Sequence, residues 1–177
     1  MTVTAAAGPK HRKGMMSDLF GIGDVEGHLS VAGLWQDRNA QSRMCEACTL
    51  CANRTGFKPT FLKINRGGHF KGRDPTMPIA DLEKLWVTGT PILYIGQAGG
   101  GTSKRTLRIR IRELLDFGSG KPIGHWGGRA LWQIKGAEQF IISWRPLPVE
   151  DPRTVKARII AKFKLRFGKR PFANLKD

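Results

Sequence analysis

Two stretches of the chain repeat apolar residues at helical spacing, and short β-prone runs surround them. Leu107, Ile111, Leu114 and Leu115 recur every three or four residues, which lines one face of a helix. This spacing predicts a helix capped by Ser103 that runs to about Asp116 and stops at Gly118. Val155, Ile159, Ile160, Phe163 and Phe167 form a second such stripe. Asp151-Pro152 opens it with a cap and a first-turn proline, and Gly168 ends it. Residues 91–95 are a compact apolar run that reads as a buried strand ended by Gly96. Further strands are expected over 49–52, 130–135 and 139–145, with Gly136 at the turn between the last two. A short helix is expected from Pro78 to Trp86. Glycines and prolines mark 65–80, 98–102 and 117–128 as loops. The rest of 15–58 gives weak signals.

These elements predict a single domain over 15–177 behind a basic arm, 1–14, that carries Lys10, Arg12 and Lys13. The arm reads either as a phosphate-touching segment or as a disordered tail. The fold class is α/β, of the α+β sandwich kind. It has a small mixed, mainly antiparallel three-stranded sheet flanked by helices.

Charge adds the next constraint. Thirty lysines and arginines face 14 acidic residues, a net charge of +16. Self-repulsion on that scale costs stability, so an anionic partner is expected. DNA is the leading one and RNA the alternative polymer. No stretch approaches the ~18 apolar residues of a spanning helix, so no membrane partner is expected. The first twenty residues carry no signal-peptide core. Three cysteines is an odd count, which fits a reducing, cytoplasmic location better than a disulfide framework.

The cations gather on the two helices. Arg105, Arg108, Arg110 and Arg112 lie on the first. Lys156, Arg158, Lys162, Lys169 and Arg170 lie on the second and its exit. Like charges three and four apart weaken a helix, so both read as phosphate-facing surfaces. No base-reading motif accompanies them. Two of these cations break the amphipathic pattern. At about 100° per residue, Arg110 lies about 40° from Leu114 and about 60° from Leu107. Lys156 projects between Phe163 and Phe167. Both border or enter the apolar face, so either they snorkel outward or they converge on a site beside the sheet.

Tyr94-Ile95-Gly96 on a strand, Leu107 to Arg110 on a helix, Gly124-His125-Trp126-Gly127 in a loop and Pro171-Phe172-Ala173-Asn174 after the last helix occur in that order. From about residue 45 to the C-terminus they resemble the GIY-YIG nuclease superfamily. The resemblance implies phosphodiester hydrolysis assisted by a divalent metal, magnesium or manganese. Tyr94 would position or deprotonate water, and Arg110 would stabilise charge on the phosphate. His125 and Asn174 would complete the site. The chain departs from the pattern twice. The family's metal-binding glutamate falls at Lys156, and the first-triplet tyrosine falls at Cys48. An ammonium has no lone pair and repels a metal. The resemblance therefore implies a DNA endonuclease scaffold with impaired cleavage. The alternative is an active endonuclease in which Glu113, Glu150 or Asp151 replaces the lost ligand.

Cys45, Cys48 and Cys51 have spacing that can hold zinc or an iron–sulfur cluster with His69 or His28 as fourth ligand. A cysteine-metal protein of unrelated activity is the third reading. Buried or free thiols are the plainer account. Trp126 and Trp132 are expected in the core.

Overall fold

The computed structural model describes residues 26–37, 48–53, 58–100 and 102–176, with the backbone alone for 26–28 and 48–53. The basic arm 1–14 lies outside the described residues. Four strands, β1 (Glu26–Ser30), β2 (Cys48–Asn53), β3 (Ile92–Ala98) and β4 (Ile141–Pro146), form one antiparallel sheet in the order β1-β4-β2-β3. The helices are α1 (Val31–Gln36), α2 (Ile79–Leu85), α3 (Leu107–Gly118) and α4 (Pro152–Phe167). The mixed α+β class is as expected. The expected three-stranded sheet has four strands instead, because β1 lies in a segment with no clear alternation and is defined by pairing with β4.

The local signals for α4 hold in detail. The Asp151 carboxylate accepts from the Thr154 backbone N–H at 2.9 Å, Pro152 occupies the first turn, and Gly168 closes the helix at φ +75°. The cap of α3 is corrected. Thr106, not Ser103, accepts from the Ile109 N–H at 3.4 Å. The Gly99 N–H donates to the Arg105 carbonyl at 2.7 Å, which holds the loop closed and delays the helix. The strand through Tyr94 also continues past Gly96 to Ala98.

The expected strand 130–135 is replaced by a 3₁₀ segment, Trp126–Gln133. Ala130 through Ile134 are all buried, and a short continuous apolar run fits a strand or a buried helical turn equally well. Tertiary hydrogen bonds decide between them. Gln133 is fully buried, and its side-chain amide donates to the carbonyls of Leu62 and Met77 at 3.1 and 2.7 Å. Its Oε1 accepts from the Met77 N–H at 2.8 Å and from Asn65 Nδ2 at 3.3 Å. One side chain thus ties down the loop that precedes α2. Trp132 stacks on Trp35 in the core. Trp126, expected in the core, is only half-buried, and Arg129 lies over its ring at 4.7 Å.

Two packing layers meet β3. Ile92 and Ile95 pack with Val155, Ile159, Ile160 and Phe163 of α4. Leu93, Tyr94 and Ala98 pack with Leu107, Ile111 and Leu114 of α3. Strict alternation would put Tyr94 on the face of Ile92. The β2/β3 ladder shifts register here: Ala52 pairs with Tyr94 and Asn53 with Ile92, leaving Leu93 as the extra residue. This bulge turns Tyr94 to the α3 side. β3 is an edge strand, but the C-terminal segment covers it. The Ala173 N–H donates to the Leu93 carbonyl at 2.8 Å. The Asn174 amide both accepts from the Ile95 N–H and donates to the Ile95 carbonyl, each at 2.8 Å.

Candidate functional site

A cleft of about 320 Å³ opens between the end of β3, the start of α3 and the start of α4. Tyr94, Arg110 and Lys156 all line it. The inward angles of the two cations therefore do mark a common site beside the sheet. Arg105 and Arg153 add two further cations, and Gln97, Ser103 and the Gly99–Gly100 backbone complete the polar wall. Arg153 had a signal in the sequence: it precedes Lys156 by three residues, which puts both on one helical face.

Tyr94 is buried. Burial raises the pKa of its phenol, while the charge of Arg110 and a hydrogen bond with it act in the opposite direction. The hydroxyl keeps its proton at neutral pH, so it can donate to an anion while its oxygen accepts from Arg110. Arg110 is held by Glu113, with Nη1 to Oε2 at 2.7 Å, and Arg105 meets the other oxygen at 3.4 Å. One carboxylate, with its side chain only 18% exposed, thus aligns two guanidiniums. A guanidinium carries five N–H groups, so both retain donors. Lys156 is half-buried beside them.

This donor set does not fit the magnesium or manganese ion that the resemblance implies. Among the described residues, the lining offers four cations and no carboxylate. Among the described residues, no group of three potential ligands can hold a metal ion. The acids proposed as substitutes are engaged elsewhere. Glu113 bridges Arg105 and Arg110, and Glu150 meets Arg158 at 2.7 Å and Arg145 at 3.5 Å. Asp151 caps α4, and its bonds to Thr154 hold its carboxyl below the ordinary range. The arrangement suits an anion with several acceptor oxygens.

Two expected site residues do not line the cleft. Asn174 spends its side-chain amide on Ile95 and acts as a backbone clamp. His125 is buried with Phe117 at 6.3 Å, and neither ring nitrogen has a hydrogen-bond partner. Burial, reinforced by the charges of Arg110 and Arg105, pushes its pKa down to about 3. Unfolded histidine titrates near 6.5, so between these values the unfolded chain takes up a proton that the folded chain refuses. Stability should hold above about pH 6.5 and fall by about 1.4 kcal/mol per pH unit as the pH drops from there toward 3. Melting curves at pH 7 and pH 5 test this against His125→Leu. That variant should lose less stability over the interval, and identical losses would contradict the buried neutral state.

Cys48 pairs with Ala98 on the β2/β3 ladder, whereas the partner of Tyr94 is Ala52. Cys48 therefore lies on the adjacent strand, four residues along from the partner of Tyr94. Cys45 lies outside the described residues. His69 faces Asp74 at 3.7 Å. The remaining cations divide into two groups. Arg108, Arg112 and Lys162 are exposed. Arg158 is paired with Glu150, Lys169 donates to the carbonyls of Lys84 and Trp86 at 3.1 and 2.9 Å, and Arg170 is half-buried.

No helix among the described residues is long and apolar enough to cross a membrane. Comparison of the chain with protein-family models, with curated proteins and with solved structures gave no match.

Proposed function

We propose that this chain is a DNA-binding protein on a GIY-YIG-type endonuclease scaffold, with metal-dependent phosphodiester hydrolysis impaired at Lys156. One observation carries the reading: Tyr94, Arg110 and Lys156, far apart in sequence, line one cleft that holds four cations and, among the described residues, no carboxylate. In the implied active form, an acid would stand where Lys156 stands. Here the ammonium takes up part of the metal's electrostatic role, since it attracts phosphate. It cannot organise an attacking water as a metal ligand does. Arg110 and Arg105, aligned by Glu113, provide charge-assisted bonds to phosphate oxygens. Arg108 and Arg112, exposed one turn apart on α3, add positive charge on the solvent side of that helix.

Binding to duplex DNA should then weaken steeply with salt and ignore chelator. Each phosphate contact contributes about −0.9 to the slope of log affinity on log salt. Arg110→Gln should make that slope shallower by about 1. Fluorescence anisotropy across a salt series, with and without EDTA, measures both. Binding that EDTA abolishes, or that salt leaves unchanged, would overturn the proposal. Duplex RNA competitor in the same assay separates the two polymers.

A further inference from the structure

The cleft's chemistry suits the end of a strand better than its middle. Its volume of about 320 Å³ lies near the lower bound of roughly 300 Å³ for small-ligand pockets, which is room for one terminal nucleotide. One wall is shut by backbone. Gly99 and Gly100 have left-handed φ values of 71° and 86°, and Gly100 packs against the start of α4. A Cβ on Gly100 would lie 2.8 Å from Asp151 Oδ1 and 2.9 Å from Pro152 Cδ. A phosphate inside a strand has two ester arms and a single negative charge, which leaves most of the four lining cations unmatched. A terminal phosphate has a single ester arm, three free oxygens and about −1.5 to −2 charges at pH 7. Arg105, Arg110, Arg153 and Lys156 face that space with the protonated Tyr94 hydroxyl.

We infer that the cleft is a metal-independent receptor for a terminal phosphomonoester of a nucleic-acid strand. The inference rests on the DNA-binding reading above and names the part of the DNA that enters the cleft. The test uses short labelled duplexes ending in 5′-phosphate, 3′-phosphate or hydroxyl groups only, in EDTA at one salt concentration. One of the phosphate-ended duplexes should bind about tenfold more tightly than the hydroxyl-ended one, and which of them does so identifies the end. On the unaltered protein, thymidine 5′-monophosphate or its 3′ isomer should compete where thymidine does not. Lys156→Gln should remove the preference. Equal, salt-sensitive binding of all three duplexes overturns this inference and leaves the DNA-binding reading standing. A preference that survives Lys156→Gln places the receptor elsewhere and also overturns it. Failure of every duplex to bind at low salt defeats the DNA-binding reading itself.

Discussion

Lys156→Glu is expected to give the chain magnesium-dependent nicking of supercoiled plasmid. Lys156 lines the cleft beside Tyr94 and Arg110 and is half-buried. Its replacement exchanges a repelling ammonium for an oxygen donor of the kind magnesium needs. It also removes one of the four lining cations, so metal-free DNA binding should weaken while magnesium-supported binding appears. Metal assistance to phosphoryl chemistry is worth several kcal/mol, and each 1.36 kcal/mol is tenfold in rate. The nicking rate should therefore rise by at least about a hundredfold over the unaltered chain. Cys48→Tyr should raise it further, because Cys48 pairs with Ala98, which lines the cleft. Plasmid assays with magnesium, manganese and EDTA measure the gain. If neither the single nor the double variant cleaves while both remain folded, the nuclease-scaffold assignment fails.

Asn174→Ala should cost about 2–6 kcal/mol of stability. The side-chain amide satisfies both backbone groups of Ile95, and Ile95 is fully buried on the edge strand that carries Tyr94. Truncation leaves a buried N–H and a buried carbonyl without partners, each worth about 1–3 kcal/mol. Since a domain is stable by only about 5–15 kcal/mol, the effect is large. Asn174→Asp separates a clamp from a site role. A carboxylate would preserve an oxygen donor for site chemistry. As a clamp it fails, because it sets a charged oxygen against the Ile95 carbonyl inside the protein. Both variants should lower the urea midpoint. If Asn174→Asp kept full stability, the clamp assignment would be wrong.

Much of the site could be read from residue order. The angles of Arg110 and Lys156 against their apolar stripes pointed both inward, and the cleft brings them together. A long cationic side chain near an apolar face must either snorkel or find a shared polar space, so two such residues on different helices are informative. Glu113, a candidate substitute ligand by residue type, instead aligns Arg105 and Arg110. Its pairing with Arg110 at i, i+3 was within reach of the sequence. His125 and Asn174 kept their places in the motif order, but the structure gives both other surroundings. A residue's type and spacing do not say whether its polar atoms face a cleft or a backbone strand.

What the sequence determined by itself was local and periodic. The Asp151 cap, the Gly168 stop, the two apolar stripes and the run through Tyr94 depend on a few adjacent residues and on helix or strand period. The net charge of +16 is likewise a property of composition. Tertiary structure alone decided the rest. β1 exists through its pairing with β4. The turns at Trp126–Gln133 are accompanied by the bonds of Gln133 to a distant loop. Tyr94 reaches the face of α3 because one extra residue, Leu93, enters the ladder opposite β2. These outcomes hang on hydrogen bonds and packing between segments far apart in the chain. No local period encodes them, because the partner that sets each one is absent from the window being read.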